Sequence, residues 1–405
     1  MRVIVVNSGS SSIKYEVFAL DKGASLVKGL LERIGTPEAR LKHRRLTDSE
    51  DWEEIIETRP VADHREGLQL ILDVAARYPA TRNAPGEIYG FGHRVVHGGE
   101  VFREPVIIDD EVVRRIRDLI PLAPLHNPSN LAAIEVLRAL RPDVPNVAVF
   151  DTAFHQSMPP KAFRYALPRE LYRMHHVRRY GFHGSSHQYV AKEASNYLGI
   201  PEEHLNLITL HLGNGASAAA LQGGKCMDTS MGLTPLEGLI MGTRCGDLDP
   251  AVHFYLSRKT GKPFEAIEDI LNKESGLKGI CGMSDMREIQ RRAGEGDAQA
   301  KLAIEMFCYR IKKYIGSYYA VLGRVDAIIF TGGIGENSAR VRRESSEGLT
   351  ALGVSLDERK NEGASLGIAE IQSEDSRIKI LVIPTDEERE IARQTIDTIR
   401  RASGA

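Results

Sequence analysis

Two arginines stand in segments whose composition favours binding an anion. Arg94 lies among apolar residues in the segment GHRVVHGG, directly after a predicted strand, and Arg244 lies in the tight loop MGTRCGDLDP. Burying an arginine is costly without an anionic partner, and a guanidinium suits a carboxylate or a phosphoryl group through paired hydrogen bonds. The alternatives are internal: a salt bridge for Arg94, and pairing of Arg244 with Asp247 or Asp249, of which Asp249 could also cap the next helix.

A strand–turn–strand pattern occurs twice, as VIVVNSGSSSIKY at residues 3–15 and as LITLHLGNGASA at residues 207–218. Backbone N–H groups and hydroxyls in such turns could hold a phosphate, with Lys14 as a point charge. The first copy is not a P-loop, because Ile13 and Tyr15 stand where a P-loop requires Gly and Ser or Thr. The two copies suggest two lobes that hold one polyphosphate, and the alternative for each is a hairpin with a polar turn.

A third glycine cluster, FTGGIGEN at residues 330–337, follows an apolar strand and precedes a helical pattern at 339–347. Glycines in such a turn let the backbone approach a nucleotide closely. The spacing is not the Gly-x-Gly-x-x-Gly of dinucleotide-binding folds. A strand-to-helix turn without a ligand is the alternative.

His183 lies between small residues in the segment YGFHGSSH. A metal site formed with the nearby His175, His176 and His187 is disfavoured, because their spacing matches no zinc pattern. Asp151 stands at the carboxyl end of a predicted strand, where α/β proteins place their ligands.

The segment PTDEE at residues 384–388 follows another predicted strand. An acidic residue there could face a magnesium ion. For this segment, as for Asp151, capping of the helix that follows is the alternative, and both roles could hold.

The elements that must position these residues alternate between strands and helices, which predicts an α/β fold. We expect strands at residues 3–6, 13–18, 88–91, 147–150, 207–212, 216–221, 327–330 and 378–383. We expect helices at residues 65–77, 109–119, 128–140, 187–198, 249–260, 297–322 and 387–401. A domain boundary is expected near Asp151, the last helix is expected to pack on the first domain, and the charged stretch 40–54 is expected to be a surface excursion.

The chain of 405 residues is long enough for two domains, and its 42% hydrophobic and 27% charged residues are ordinary for a globular protein. A net charge of -2 favours neither nucleic acid nor a membrane surface as a partner. No apolar run approaches the roughly 20 residues of a membrane span, and the opening strand argues against a secretory signal. The 4 cysteines form no Cys-x-x-Cys pair, so we expect reduced thiols in the cytoplasm.

Taken in order, these segments and PLHNP, FDTAFH and TDEE resemble the acetate kinase family over essentially the whole chain. This family lies within the acetate and sugar kinase, heat-shock-70 and actin superfamily. The resemblance implies an α/β protein with two ribonuclease-H-like (actin-like ATPase) domains and ATP in the cleft between them. It implies an acyl-substrate and phosphate domain at residues 1–150 with 386–405, a nucleotide-binding domain at 151–385, and a homodimer.

The resemblance also implies roles for individual residues. The implied catalytic residues are Asp151, His183, Arg244 and Arg94. The implied acyl-substrate site, with a small apolar pocket for the methyl group, comprises Arg94, Val96, Leu125, His126, Phe182 and Pro235. The implied ATP contacts are Lys14, His211, Leu212, Gly213, Asn214, Gly215, Asp285, Met286, Arg287, Gly333, Ile334, Gly335, Glu336 and Asn337. The implied metal residues are Asn7 and Glu387, holding Mg²⁺ with Mn²⁺ as the alternative; Glu388 is an alternative to Glu387, and Asp386 replaces an Asn of the family pattern.

The reaction implied is the reversible transfer of a phosphoryl group from ATP to acetate, giving ADP and acetyl phosphate by direct in-line displacement. A carboxylate with a pKa of roughly 4–5 is already ionised at pH 7 and needs no general base. We therefore expect Arg94, Arg244 and His183 to offset the repulsion between two anions, and Asp151 to orient Arg94 or the Mg²⁺ shell. The alternatives are a propionate or butyrate kinase, a sugar kinase that uses Asp151 as a base, or an ATP-binding module without catalysis.

Overall fold

The computed structural model describes residues 1–20, 24–47, 51–77, 87–364 and 367–404. The chain divides into two compact units: unit one is Met1–Phe154 with Asp386–Ala405, and unit two is His155–Thr385. Asp151 lies in unit one, whereas the boundary expected from the sequence assigned it to the second domain. Within the described ranges, no helix combines the length and the apolar character that crossing a membrane would require.

Unit one is built on a sheet with the strand order β5-β4-β3-β2-β1-β6-β8-β7. The central β1, β6 and β8 are parallel to one another, and the remaining neighbours are antiparallel. Its strands are β1 Arg2–Ser8, β2 Ser12–Ala19, β3 Ser25–Glu32, β4 Thr36–Leu46, β5 Trp52–Val61, β6 Ile88–Val95, β7 Val106–Ile107 and β8 Asn146–Phe150. Its first helices are α1 His64–Arg77, α2 Asp110–Asp118 and α3 Asn127–Leu140.

The prediction of a surface excursion at residues 40–54 is wrong, because β4 and β5 form an antiparallel pair there; residues 48–50 lie outside the described residues. The signal was present as a two-residue alternation in which Ala39, Leu41 and His43 are buried and their neighbours point outward. Charged residues dominate the outward positions, and cross-strand ion pairs such as Lys42–Glu54 at 3.0 Å line them. The many charged residues of this stretch therefore obscured the strand alternation in the sequence.

Unit two is built on a second sheet with the order β11-β10-β9-β12-β14-β13. Its strands are β9 Asn206–Leu212, β10 Ala216–Gln222, β11 Lys225–Thr229, β12 Ala327–Thr331, β13 Ala369–Glu370 and β14 Lys379–Val382. Its helices are α4 Pro160–Phe163, α5 Arg169–His175, α6 Gly184–Leu198, α7 Ala251–Thr260, α8 Phe264–Asp269, α9 Gly276–Cys281, α10 Met286–Gly294, α11 Ala298–Leu322, α12 Gly332–Asn337, α13 Ala339–Ser346 and α14 Glu358–Gly363. Short 3₁₀ turns occupy Ile120–Leu122, Ala153–Ser157, Glu202–His204 and Thr350–Leu352, and a π-helical turn occupies Ile270–Glu274.

The two repeated sequence patterns occupy equivalent positions in the two sheets. β1 and β2 form an antiparallel hairpin, as do β9 and β10. β1 then pairs in parallel with β6 and β6 with β8, just as β9 pairs with β12 and β12 with β14. The predicted fold class, α/β with two ribonuclease-H-like domains, is confirmed. A strand follows the first glycine turn, as expected for a hairpin and not for a P-loop.

The last helix, α15 Glu387–Ser403, belongs to unit one and packs on its sheet. Val3 and Val5 of β1 face α15, while Ile4 and Val6 face the core under α1 and α3, so β1 is apolar on both sides. Gly92 of β6 permits this close approach, because a Cβ there would overlap side chains of α15. The packing places the first residues of α15 beside the carboxyl ends of β6 and β8.

Candidate active site

Arg94 and Asp151 form an ion pair at the carboxyl ends of two adjacent parallel strands. β6 ends just beyond Arg94, and Asp151 directly follows β8. Arg94 Nε and Nη2 donate to the two oxygens of Asp151 at 3.0 Å and 2.6 Å, and the side chains are 20% and 1% exposed. Burial alone would lower the pKa of Arg94, but the charges of Asp151 and Glu387 outweigh it and raise that pKa. Of the two interpretations of Arg94, the internal salt bridge is therefore present.

Glu387, the first residue of α15, is a carboxylate poised to accept a cation. Burial raises its pKa to about 7; the charge of Arg94 acts against this, and that of Asp151 adds to it. Within the described part of the chain, no group donates a hydrogen bond to this carboxylate. Because carboxylate and amide oxygens suit Mg²⁺, the side chains of Glu387 and of the half-buried Asn7 of β1 are of the types that this ion prefers.

Glu388 is engaged by Lys14, whose Nζ lies 2.6 Å from the Glu388 Oε1 atom. Glu388 also lies with Glu16 and Asp386 in a group of carboxylates whose oxygens are within 4.8 Å of one another. Asp386 caps α15 by accepting from the backbone N–H of Arg389 at 3.0 Å, which explains why Asp can replace Asn here. Glu388 is thus paired with Lys14, and the choice between Glu387 and Glu388 as the metal residue stays a prediction.

In unit two, His183 is held in one orientation by a chain of side chains. It precedes α6 with a left-handed φ of 57°. Its Nδ1 lies 2.9 Å from Ser217 Oγ, which lies 2.8 Å from His187 Nε2. Burial, with the neighbouring His155 and His211, lowers the pKa of His187 well below its usual value, so His187 is neutral.

Arg244 and His183 converge on the turn between β9 and β10. A Cβ on Gly215 would lie 3.3 Å from His183 Nε2 and 3.4 Å from Arg244 Nη2. The ring of His183 also stacks on His211 with centroids 4.3 Å apart. A cation and an imidazole thus face the same glycine.

Arg244 has no acidic partner among the residues that the structure describes. Its Nη1 donates to the Pro235 carbonyl at 2.7 Å, and burial lowers its pKa. Asp247 instead pairs with Arg310 at 3.3 Å, and Asp249 accepts from a backbone N–H at the start of α7. Both internal alternatives for Arg244 are therefore wrong, and the guanidinium remains available for an anion.

The sequence profile of the acetokinase family matches residues 2–393. The chain belongs to the acetokinase family. It is 76% identical to the acetate kinase of Syntrophobacter fumaroxidans over 405 residues, which cover 100% of this chain and 98% of that relative.

Two solved structures are also similar to this acetokinase. The crystal structure of Porphyromonas gingivalis acetate kinase superposes with a TM-score of 0.92 at 42% identity, covering 98% of this chain and 99% of the other. A propionate kinase from Francisella tularensis subsp. tularensis superposes with a TM-score of 0.91 at 41% identity and the same coverage.

The remaining expected nucleotide residues of this acetokinase lie on three segments of unit two. The turn Gly213–Gly215, which follows His211 and Leu212, is tied to the Arg244 loop, since Gly242 N donates to Asn214 O at 3.0 Å. The glycine cluster is not a turn but a short helix, α12, because Gly332 adopts a φ of +77° and starts the helix directly after β12. A Cβ on Gly333 would meet nothing within 4 Å, so packing does not explain that glycine.

Glu336 and Asn337, which are expected to contact the nucleotide, form hydrogen bonds with backbone groups in this structure. Glu336 Oε1 accepts from Gly332 N at 2.8 Å and from Thr385 N at 3.0 Å, and Asn337 Nδ2 donates to Gly333 O at 2.9 Å. Glu336 thereby joins the carboxyl ends of β12 and β14. The other members of the cluster are the half-buried Ile334 and the buried Gly335.

Asp285, Met286 and Arg287 begin α10. Asp285 caps the helix and pairs with Arg287 at 2.6 Å; the hydrogen bonds from the Arg287 side chain and backbone lower the pKa of Asp285 to about 2. Met286 is 4% exposed and packs in the core. Only the two charged residues of this segment are therefore available at the surface.

The expected acyl-site residues differ in exposure. In unit one, Val96 is buried, Leu125 is 60% exposed, and the half-buried His126 precedes α3. In unit two, Phe182 is buried and Pro235 is half-buried, and the Pro235 carbonyl accepts a hydrogen bond from Arg244.

Two asparagines near the start of α3 position the Arg94 segment, and the sequence reasoning missed them. Asn130 accepts from Val96 N at 3.1 Å and donates to Ser8 O at 2.8 Å. Asn127 exchanges two hydrogen bonds of 3.1 Å with the backbone of His97. The available signal was the pair of amides, three residues apart, in the segment HNPSN.

Proposed function

We propose that this acetokinase catalyses the reversible, ATP-dependent phosphorylation of acetate to acetyl phosphate. The observation that carries the proposal is the guanidinium of Arg244, which faces Gly215 beside His183 and has no acidic partner among the described residues. A cation without a counter-ion suits the charge of a phosphoryl group in transfer. The 76% identity to an acetate kinase supports acetate as the acceptor.

The mechanism follows from the charge of the reactants. The acetate carboxylate is ionised at neutral pH, and its oxygen attacks the γ-phosphorus in line. The site therefore has to offset the repulsion between the two anions and does not have to supply a general base. We assign Arg94 to the acetate carboxylate, and Arg244 with the Nε2 side of His183 to the transferring phosphoryl group. Asp151 orients Arg94 through both of its oxygens, which leaves it poorly suited to act as the base of a sugar kinase.

The metal and the nucleotide are assigned to different units. Glu387 and Asn7 of unit one would hold Mg²⁺, which when bound would neutralise charge on the ATP phosphates. Unit two would bind ATP or ADP through the Gly213–Gly215 turn, the exposed part of 285–287 and α12. Lys14, 54% exposed beside Glu388, would contact a phosphate.

Hydroxamate formation tests the proposal directly. The protein is incubated with ATP, Mg²⁺ and acetate in the presence of hydroxylamine, which traps an acyl phosphate as a hydroxamate. Hydroxamate that depends on acetate, and on both Arg94 and Arg244, is expected. Turnover with glycerol or glucose alone, or ATP hydrolysis that acetate does not affect, would contradict it.

Propionate is the second candidate substrate, because a propionate kinase superposes on this chain with a TM-score of 0.91. One methylene is worth only about 1–3 kcal/mol of discrimination in an apolar pocket. The ratio of kcat/KM for acetate and propionate decides between the two.

We further propose a homodimer of cytoplasmic location. Large apolar side chains are exposed on unit two: Phe254, Phe264 and Tyr309 are 53%, 58% and 64% exposed, and the ring centroids of the two phenylalanines lie 6.2 Å apart. Exposed apolar clusters of this kind favour protein contacts. Sedimentation of the wild type and of a Phe264→Glu variant tests the dimer. The 4 cysteines are free thiols, which suits a reducing compartment.

A further inference from the structure

Arg244 is held by a loop that contributes no charged group to the candidate site. This loop, residues 230–238, follows β11 and carries Pro235, whose carbonyl accepts from Arg244 Nη1 at 2.7 Å. Gly238, at its end, is fastened to Asp247 by two hydrogen bonds of 2.9 Å, one to the side chain and one between backbones. The place of Arg244 therefore depends on the shape of the 230–238 loop.

Arg179 holds the beginning and the end of this loop. Its Nη1 donates to three consecutive carbonyls, those of Thr229 at 2.8 Å, Ser230 at 3.0 Å and Met231 at 3.2 Å. Its Nη2 donates to Glu237 Oε1 at 2.6 Å, and the two side chains are 16% and 33% exposed. One guanidinium thus joins the strand end to the residue before Gly238.

Tyr165 completes the arrangement from the segment between α4 and α5. Its hydroxyl donates to Glu237 Oε2 at 2.5 Å and accepts from Leu233 N at 3.1 Å. A Cβ on Gly232 would overlap both the Glu237 carboxylate and the Tyr165 hydroxyl, so these two side chains lie directly on the loop backbone. The three polar side chains Arg179, Glu237 and Tyr165 are called the loop clamp below.

We propose that the loop clamp positions Pro235 and Arg244 and thereby sets both the rate of phosphoryl transfer and the acyl chain-length preference. Its members act through the 230–238 loop, so they are positioning residues and not catalytic ones. The inference rests on the proposed function, since it takes Pro235 as part of the acyl pocket. When the clamp is weakened, the loop gains freedom, Arg244 loses its fixed acceptor, and the pocket wall at Pro235 can yield to a longer acid.

Two nearly isosteric substitutions test the proposal. Tyr165→Phe removes the hydroxyl that joins Glu237 to Leu233, and Glu237→Gln keeps the shape but removes the charge that pairs with Arg179. Tyr197→Phe is the matched control, because it removes the same hydroxyl from a residue of α6 that is 45% exposed. Kinetic constants are measured for acetate, propionate and ATP, together with melting temperatures and hydrogen exchange.

The expected kinetic result separates the clamp from a general loss of structure. For each clamp variant, kcat/KM for acetate falls about tenfold, since a displaced catalytic group is costly. The propionate-to-acetate ratio of kcat/KM rises at least about threefold, which is within the range that one methylene controls. KM for ATP stays within about twofold, because the clamp side chains make their hydrogen bonds to none of the residues assigned to the nucleotide. The control keeps the wild-type values.

Hydrogen exchange gives a readout that does not need turnover. Faster exchange confined to residues 229–238 is expected in both clamp variants and absent in the control. If the wild type phosphorylates neither acid, the proposed function fails while exchange still decides whether the clamp orders the loop. If Glu237→Gln does not fold, Tyr165→Phe retains the ion pair and carries the test. The inference would be overturned if folded Tyr165→Phe kept both the wild-type propionate-to-acetate ratio of kcat/KM and the wild-type hydrogen exchange of residues 229–238.

Discussion

Replacing Arg244 with methionine should abolish most activity without destabilising the protein, whereas replacing Arg94 should do both. The difference follows from their partners. Arg244 donates to a carbonyl and has no carboxylate partner in the described chain, while Arg94 neutralises the 1%-exposed Asp151. Methionine keeps much of the side-chain volume and removes the charge.

The size of the activity loss follows from Coulomb's law. A guanidinium about 4 Å from a developing negative charge contributes roughly 4 kcal/mol at an effective dielectric constant of about 20. Because each 1.36 kcal/mol is a factor of ten in rate, Arg244→Met should lower kcat by about 10³-fold. Arg244→Lys, which keeps the charge and loses the planar fork, should retain part of this rate.

Arg244→Met and Arg94→Met should also differ in their effect on the melting temperature. Arg244→Met relieves the burial of an unpaired charge, so the melting temperature should stay the same or rise. Arg94→Met leaves the Asp151 carboxylate buried and unpaired, which costs about 3–5 kcal/mol. That corresponds to a drop on the order of 10 °C in the melting of a domain of this size.

The assay combines hydroxamate formation with calorimetry on the wild type and the three variants. Activity is measured below the lowest melting transition, so that unfolding does not contribute. The assignment of Arg244 to the transferring phosphoryl group is refuted if Arg244→Met melts at as low a temperature as Arg94→Met, since the loss of activity would then reflect a loss of structure. It is equally refuted if Arg244→Met retains a tenth or more of the wild-type kcat.

Further predictions follow from single contacts. Gly333→Ala should weaken ADP binding, measured by calorimetry, about tenfold, because the added methyl group would crowd the nucleotide. It should not lower the melting temperature, because a Cβ there meets nothing within 4 Å. Gly332→Ala should instead destabilise the protein, because Gly332 has a φ of +77°. Burial lowers the pKa of His93 to about 4, so its unfolded form takes up a proton first as pH falls below 6.5. The contribution of His93 to the free energy of unfolding is therefore fully present above pH 6.5 and falls by about 3 kcal/mol towards pH 4. The difference in unfolding free energy between the wild type and His93→Gln should follow this trend with pH. A difference that does not depend on pH would contradict it. Glu387→Gln should raise the Mg²⁺ concentration for half activation at least about tenfold, as expected for loss of a metal-binding group, and an unchanged Mg²⁺ titration would remove Glu387 from the proposed metal site.

Local pattern predicted the elements of both sheets that are apolar on both faces. The runs that became β1 and β12 have no polar alternation, because both faces of a central strand are buried. β4 and β5 escaped prediction because their outward residues are charged, and an alternation of this kind is also typical of a solvated loop. The short α12 was interpreted as a turn, since glycines, which favour turns, also begin this helix, and its first residue, Gly332, has a positive φ.

The candidate residues could be chosen from the sequence, since arginine, histidine and acidic groups beside glycine turns are unusual enough to single out. The positioning residues could not be chosen in this way. Asn127 and Asn130 read as ordinary residues at a helix start, and Tyr165 and Glu237 lie in segments without any motif. Each acts by a contact with a residue that is distant in the sequence, and no local pattern encodes such a contact.

The sequence by itself determined the α/β class, the duplicated hairpin and the family, because these depend on periodicity and on motifs that are continuous along the chain. The tertiary structure alone decided how each charge is balanced. Arg94 and Asp151 are 57 residues apart and meet only because β6 and β8 pair in parallel and end together. Asp247, three residues from Arg244, turns instead to Arg310 of α11. Charge pairing depends on distance in space, and the fold sets that distance.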